Sequence, residues 1–112
     1  MIKAIFSRNS DDLLDSVEIS GHAGSGDYGF DVVCAAVSTL SINFINSLEV
    51  LTQAKTDLSL NESDGGYMAI RLLNTQQNDE EKIQLLFESF LLGMTNLSEN
   101  SSEFVQTEIV KR

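Results

Sequence analysis

The fold is decided by the segment 31–51, which reads DVVCAAVSTLSINFINSLEVL. Apolar residues recur in it at spacings of three and four, the period of one face of an α-helix. The stripe consists of Val33, Val37, Leu40, Phe44, Leu48 and Leu51. Ala35, Ile42 and Ile45 add apolar surface beside this stripe. The segment therefore predicts a central helix that begins at Asp31.

Shorter segments around this helix alternate apolar and polar residues, as β-strands do. They are 2–6 and 16–20 before the helix, and 58–60 and 67–72 after it. Gly65 and Gly66 supply the positive φ that a hairpin between the latter two strands requires. Asn78 as N-cap and Glu81 three residues later predict a capping box that opens a second helix. Residues 104–110 predict a last strand.

The order ββαββαβ predicts an α+β fold. We expect a two-layer sandwich in which both helices pack on one face of a mixed sheet. The 112 residues contain no linker or repeat, so 1–112 is predicted to form one domain. The sequence leaves open whether the other face of the sheet is solvated or buried in a dimer.

Charge and composition narrow the possible partners. The net charge is −10, with seven Lys and Arg residues and no basic cluster, which argues against direct binding of nucleic acid. An acidic surface favours basic partners or serves solubility. The N-terminal residues lack the features of a signal peptide, and no run of about 18 apolar residues predicts a membrane span. The single cysteine is usual for a reducing compartment, so we expect a cytoplasmic protein without a membrane partner.

The chemistry is predicted to lie in residues 21–38. The only cysteine, Cys34, and the only histidine, His22, flank a glycine-rich loop. With Asp31 as N-cap, Cys34 would lie in the first helical turn, where the helix dipole favours a thiolate. His22 ends a strand and could fold back to form a thiolate–imidazolium pair, which attacks carbonyl carbons. The N–H of Cys34 and loop glycine amides could form an oxyanion hole.

Each of these residues also has a simpler reading. A lone cysteine is often a buried, inert side chain. Asp31 could orient His22 or only cap the helix. The Ser38 hydroxyl could bond the thiol or, alternatively, the backbone carbonyl of Cys34.

The loop itself predicts a mobile lid from Gly24 to Phe30. Gly24, Gly26 and Gly29 leave its backbone poorly restrained, and Tyr28 and Phe30 could close over apolar substrate side chains. Alternatively, Phe30 packs on the helix as a hydrophobic staple.

Two other kinds of site are rejected. Residues 24–29 read G-x-G-x-x-G, the dinucleotide fingerprint, but they do not follow the strand directly, and nearby aspartates would repel a pyrophosphate. No ligand pairs stand at metal spacing, so neither a metal nor another cofactor is expected.

The same segment resembles the ribosomal-processing cysteine protease family, called Prp. The resemblance rests on the Gly21-His22-Ala23 triplet and on 31–38, which reads DVVCAAVS. It implies that His22 and Cys34 are catalytic, with Gly21, Asp31 and Ser38 in support. It also implies a homodimer that removes an N-terminal extension from large-subunit ribosomal protein number twenty-seven, cutting after an aromatic pair and before alanine. The alternative is a non-enzymatic ribosome-assembly or binding module in which Cys34 is merely packed.

Overall fold

A computed structural model describes residues 1–21, 28–61, 66–74 and 79–112, the side chains of Tyr28 and Asn74 excepted. Its strands are β1 (Ile2–Arg8), β2 (Leu14–Ser20), β3 (Lys55–Asn61), β4 (Tyr67–Asn74) and β5 (Val105–Lys111), and its helices are α1 (Tyr28–Leu51) and α2 (Glu80–Asn100). The predicted order ββαββαβ is confirmed. Most boundaries lie within a few residues of their predicted positions.

The five strands form one mixed sheet in the order β3-β4-β2-β1-β5. β1 and β5 are parallel, and the other neighbours are antiparallel. In β1, Ile2, Ala4 and Phe6 are fully buried, and the pleat turns Lys3 and Ile5 to the opposite face. Both helices pack on the first of these faces, which confirms the two-layer architecture.

Four phenylalanines join the two layers. The ring of Phe6 on β1 meets that of Phe90 on α2 edge-on, with centroids 5.4 Å apart. Phe44 on α1 stacks on Phe90 at 4.6 Å and meets Phe87 edge-on at 4.8 Å. Phe44 is almost fully buried, and Phe6 and Phe87 are completely so. This cluster fixes both helices against the sheet and against each other.

Polar side chains hold the start of α2 in place. The side-chain amide of Gln84 bonds both backbone groups of Leu14, accepting from its N–H at 2.9 Å and donating to its carbonyl at 2.7 Å. The structure places the N-cap of α2 at Asp79, whose buried carboxylate accepts a 2.6 Å bond from the N–H of Gln53. The prediction of Asn78 as the N-cap is therefore wrong; Asn78 itself lies outside the described residues.

Gly21 directly follows β2, at a point where two other chain segments approach it. Its φ is +79°, and a Cβ built on it would lie 2.4 Å from the carbonyl oxygen of Met1. Its N–H donates a 3.0 Å bond to the carbonyl of Gly66, which also has a positive φ of 86°. Only glycine fits both the conformation and the space at position 21.

By length and composition alone, α1 could cross a membrane. Phe30–Leu51 spans 22 residues with a mean hydropathy of 1.4, although polar residues such as Asn43 and Glu49 interrupt it, so it is not an unbroken apolar run. In the structure, the stripe of α1 that includes Val33, Val37, Phe44 and Leu48 is buried in the core. A core helix that packs on a sheet has the same apolar composition as a membrane span.

The aromatic cluster yields a first prediction. Phe44→Ala removes the ring that contacts both Phe87 and Phe90 and leaves a cavity at the α1–α2 contact. We expect a loss of about 3–5 kcal/mol in the free energy of unfolding, measured by urea denaturation. A loss below about 1 kcal/mol would show that the cluster does not fix α1.

The glycine at the end of β2 yields a second prediction. Gly21→Ala forces a Cβ against the Met1 carbonyl at a positive φ, so we expect destabilisation on the order of 1–3 kcal/mol. Gly93→Ala is the matched control, because its Cβ would meet only the flexible Leu40 side chain, 3.3 Å away. Calorimetric melting should separate the two variants; equal melting temperatures would contradict the steric argument.

Candidate active site

Helix α1 begins three residues earlier than predicted, at Tyr28. Asp31 is therefore its fourth residue and not its N-cap. Its carboxylate still favours the helix, because a negative charge in the first turn complements the positive end of the dipole. Asp31 and Cys34 stand three residues apart, a spacing that places both on one side of the helix.

Because α1 begins at Tyr28, Cys34 lies in the second helical turn and not in the first, as predicted from a start at Asp31. Cys34 is the seventh residue of α1, so its N–H is taken up by the helical bond to the carbonyl four residues before it. The prediction that this N–H belongs to an oxyanion hole is therefore wrong. The dipole effect also fades beyond the first turn, which weakens the predicted activation of the thiol.

The surroundings of the thiol raise its pKa. Cys34 is half-buried and packs against the core. Burial is the largest cause of the raised pKa of Cys34, the Asp31 carboxylate adds to it, and the N-terminal ammonium group of Met1 opposes it. The thiolate therefore depends on a cation close to Cys34 and not on the helix dipole alone.

Ser38 follows Cys34 by one turn of α1. Thr39 and Ser41 donate their hydroxyls to the carbonyls four residues before them, at 3.0 Å and 2.7 Å. In the part of the chain that the structure describes, the Ser38 hydroxyl makes no such bond to Cys34, to either its thiol or its carbonyl. Ser38 lies on the flank of the helix that carries Cys34, as predicted.

Part of the predicted lid is helical. Tyr28, Gly29 and Phe30 form the first three residues of α1. Phe30 packs against the core and meets the ring of Phe104 edge-on at 5.9 Å. This packing favours the alternative in which Phe30 anchors the start of the helix, and its role in a substrate lid stays a prediction.

The remaining predicted residues are Gly21, His22, Gly24 and Gly26, of which the structure describes Gly21. Gly21 has a structural role, because its close approach to Met1 fixes where the chain leaves the sheet. His22, Gly24 and Gly26 lie outside the described residues. The pairing of His22 with Cys34 therefore remains a prediction from the sequence.

The sequence did not predict that the Met1 ammonium group would lower the pKa of Cys34. The signal was available in the hairpin register, which pairs Lys3 with Ser20 and so brings the start of β1 beside the end of β2. Within the described ranges, no group of acidic, Cys and His side chains could hold a metal ion.

The effect of Asp31 on the thiol can be measured directly. Asp31→Asn removes a carboxylate that raises the pKa of Cys34, so more thiolate should be present at pH 7. In a His22→Ala background, we expect iodoacetamide to alkylate the native protein about 1.5- to 2.5-fold faster, the scale of a charge interaction at this helical spacing. Asp31→Glu keeps the charge and should react at the parental rate. Slower alkylation of Asp31→Asn would contradict a direct electrostatic effect.

Comparison with known proteins identifies the family. The family model described as cysteine protease Prp matches residues 1–106. The ribosomal processing cysteine protease Prp of Staphylococcus aureus is 30% identical over 106 residues, covering 95% of this chain and 96% of its own.

Solved structures agree with this assignment. A Streptococcus mutans protein has 57% identity and a TM-score of 0.92, covering 100% of this chain and 96% of its own. The S. aureus protease Prp, solved with a covalently linked product peptide, has 28% identity and a TM-score of 0.82, covering 97% of this chain and 99% of its own. This chain therefore belongs to the cysteine protease Prp family, and it is a cysteine protease that hydrolyses peptide bonds.

Proposed function

We propose that this protein is an endopeptidase in which Cys34 is the nucleophile and His22 the acid–base residue. One observation carries the assignment: a cysteine protease needs a nucleophilic thiol, and Cys34 is the only cysteine in the sequence. His22 is likewise the only histidine, and it immediately follows Gly21 at the end of β2. Burial and the Asp31 carboxylate raise the pKa of Cys34, and an adjacent His22 imidazolium would offset both effects.

The reaction proceeds in two steps. The Cys34 thiolate attacks the scissile carbonyl carbon, and the tetrahedral intermediate collapses as the His22 imidazolium gives its proton to the leaving amine. This breaks the peptide bond and leaves a thioester on Cys34. Water, deprotonated by the now neutral His22, then attacks the thioester, releases the acid product and restores the thiolate–imidazolium pair. Because the N–H of Cys34 is used within α1, oxyanion donors must come from outside this helical turn.

We infer a ribosomal substrate from the family. Its S. aureus member is named a ribosomal processing protease, and a large-subunit ribosomal protein, number twenty-seven, is the substrate that the resemblance implies. The cut would follow an aromatic pair and precede alanine. The net charge of −10 supports a basic ribosomal partner, since opposite charges accelerate encounter. We further propose that the enzyme acts in the cytoplasm as a homodimer.

Removing either member of the pair tests the assignment. With a peptide that carries the aromatic pair followed by alanine, we expect Cys34→Ser to abolish cleavage and His22→Ala to lower kcat about 10²- to 10⁴-fold with little change in KM. Both variants should melt near the parental temperature. Thr39→Ala, an exposed position on α1, is the control and should retain full activity.

Two results would contradict the assignment. Cleavage by Cys34→Ser at the parental rate would exclude Cys34 as the nucleophile. A rise in KM alone on His22→Ala would make His22 a binding residue.

A further inference from the structure

Most basic side chains of this protein are engaged by carboxylates. All seven Lys and Arg residues lie in the described ranges, and five of them form ion pairs with acidic residues. The pairs are Arg8–Glu88 at 2.9 Å, Lys111–Asp12 at 3.1 Å, Arg71–Asp57 at 3.5 Å, Lys3–Glu108 at 3.9 Å and Arg112–Asp15. These pairs use five of the 17 acidic residues, so the net charge of −10 stays with the remainder.

The basic residues are concentrated away from Gly21. β1 runs from Ile2, beside Gly21, to Arg8 at the opposite end of the sheet. Six of the seven lie between the middle of the sheet and the Arg8 end: Arg8, Lys55, Arg71, Lys82, Lys111 and Arg112. Lys3 is the one basic residue of the described chain that lies close to Gly21, and it is paired with Glu108.

The end of the sheet that carries the thiol is acidic. Phe30 stands four residues before Cys34, on the same side of α1, and its ring contacts Phe104. Glu103 directly precedes Phe104, and Glu99 lies in the last turn of α2. Both glutamates are exposed. The contact between Phe30 and Phe104 therefore brings two exposed carboxylates to the end of the molecule at which α1 begins.

This distribution of charge is unfavourable to RNA. Binding of phosphates depends on Lys and Arg side chains that displace counterions. The cations near the thiol are the Met1 ammonium group and Lys3, and exchanging Glu108 for a phosphate would leave that carboxylate beside the new anion. Exposed charges act over about 8 Å at physiological ionic strength. The Asp31 side chain stands about 5–6 Å from that of Cys34 at their helical spacing, so a phosphate brought close to the thiol is repelled.

We infer that the enzyme cleaves its ribosomal substrate before that protein binds ribosomal RNA. The inference rests on the proposed function and gives the reaction its place in an order of events. Attack requires the scissile carbonyl to lie about 3–3.5 Å from the Cys34 thiol. An extended chain advances about 3.3 Å per residue, so three residues on each side of the cut lie within about 10 Å of it. Phosphates bound to those residues come within reach of the acidic end of the enzyme.

RNA and the protease compete for the same cations of the substrate. The Lys and Arg side chains of a free basic protein are attracted to the acids at this end, which accelerates encounter. Once RNA phosphates have paired with those side chains, the attraction is lost, and repulsion between phosphate and carboxylate replaces it. Cleavage therefore belongs to the interval between synthesis of the substrate and its binding to RNA.

The experiment measures cleavage of the full-length precursor, free and bound to large-subunit ribosomal RNA. An uncharged peptide with the aromatic pair followed by alanine is assayed with and without the same RNA. Wild type should cleave the RNA-bound precursor at least about tenfold more slowly than the free precursor. Cleavage of the peptide should not respond to RNA, because the enzyme itself does not bind it.

Two double variants separate the charge of the enzyme from simple shielding of the cut by RNA. Glu99→Lys with Glu103→Lys changes the net charge from −10 to −6 at the thiol end. Glu49→Lys with Glu81→Lys makes the same change at the other end, since Glu49 follows Cys34 by 15 residues, about 22 Å along α1.

The two variants should differ on the precursor and agree on the peptide. Glu99→Lys with Glu103→Lys should lower kcat/KM for the free precursor about three- to tenfold at low salt and weaken the RNA effect at least about threefold. The control variant should match wild type, and both should cleave the uncharged peptide at the parental rate. If the lysine variant does not fold, Glu99→Gln with Glu103→Gln makes half the charge change and should shift the RNA effect in the same direction.

The other outcomes overturn the inference in distinguishable ways. Equal cleavage of free and RNA-bound precursor shows that the order is wrong and leaves the proposed function intact. An RNA effect of the same size in wild type and both variants assigns it to shielding by RNA and not to the enzyme's charge. Slower peptide cleavage in the presence of RNA shows that the enzyme binds RNA. If wild type cleaves neither precursor nor peptide, the proposed function itself fails.

Discussion

The stacking of Phe44 on Phe90, 4.6 Å between centroids, is the contact on which the rest of the arrangement depends. Phe90 also meets Phe6 on β1, so this contact ties both helices to the centre of the sheet. Because α2 must cover β1 and β5 to bury Phe90, α1 is confined to the neighbouring half of the sheet. The direction in which every other side chain of α1 points follows from that position.

The chemistry of Cys34 is a consequence of this placement. The flank opposite α2 is half-buried, which raises the pKa of the thiol, and Asp31 on the same side raises it further. A thiol in the second turn gains little from the helix dipole, whose effect is concentrated at the first turn. The helix thus positions the sulfur, and a cationic neighbour would lower the pKa of the thiol. The Met1 ammonium group is one such neighbour, brought there by the β1–β2 hairpin.

A second set of contacts fixes the chain beside the predicted site, at the end of β2. Gly21 crosses Met1 so closely that no side chain fits between them, and its N–H is bonded to Gly66 on the turn that leads into β4. Three segments are therefore in contact at the point where the chain leaves the sheet towards His22. This crossing fixes the position of Gly21, the residue that precedes His22 in the sequence.

The sequence by itself determined the element order, and it also supplies the prediction that Cys34 and His22 carry the chemistry. The spacing from Val33 to Leu48 is a local signal, since it records which side of one helix faces an apolar core. The single Cys and single His beside a glycine-rich loop are equally visible in the chain. Both predictions depend on neighbours that are near in sequence.

The tertiary structure decided the features that depend on residues distant in sequence, such as the start of α1 and the exposure of individual side chains. α1 begins at Tyr28 and not at Asp31, and Phe30 within this added stretch packs on Phe104, which no local pattern reports. The same contact moves Cys34 into the second turn and withdraws its N–H from catalysis. The exposure of Leu60 likewise follows from strand order, because alternation places it on the helix-bearing face, but only the position of α1 leaves it uncovered. Periodicity specifies which face of an element is apolar, and packing between elements specifies what that face meets.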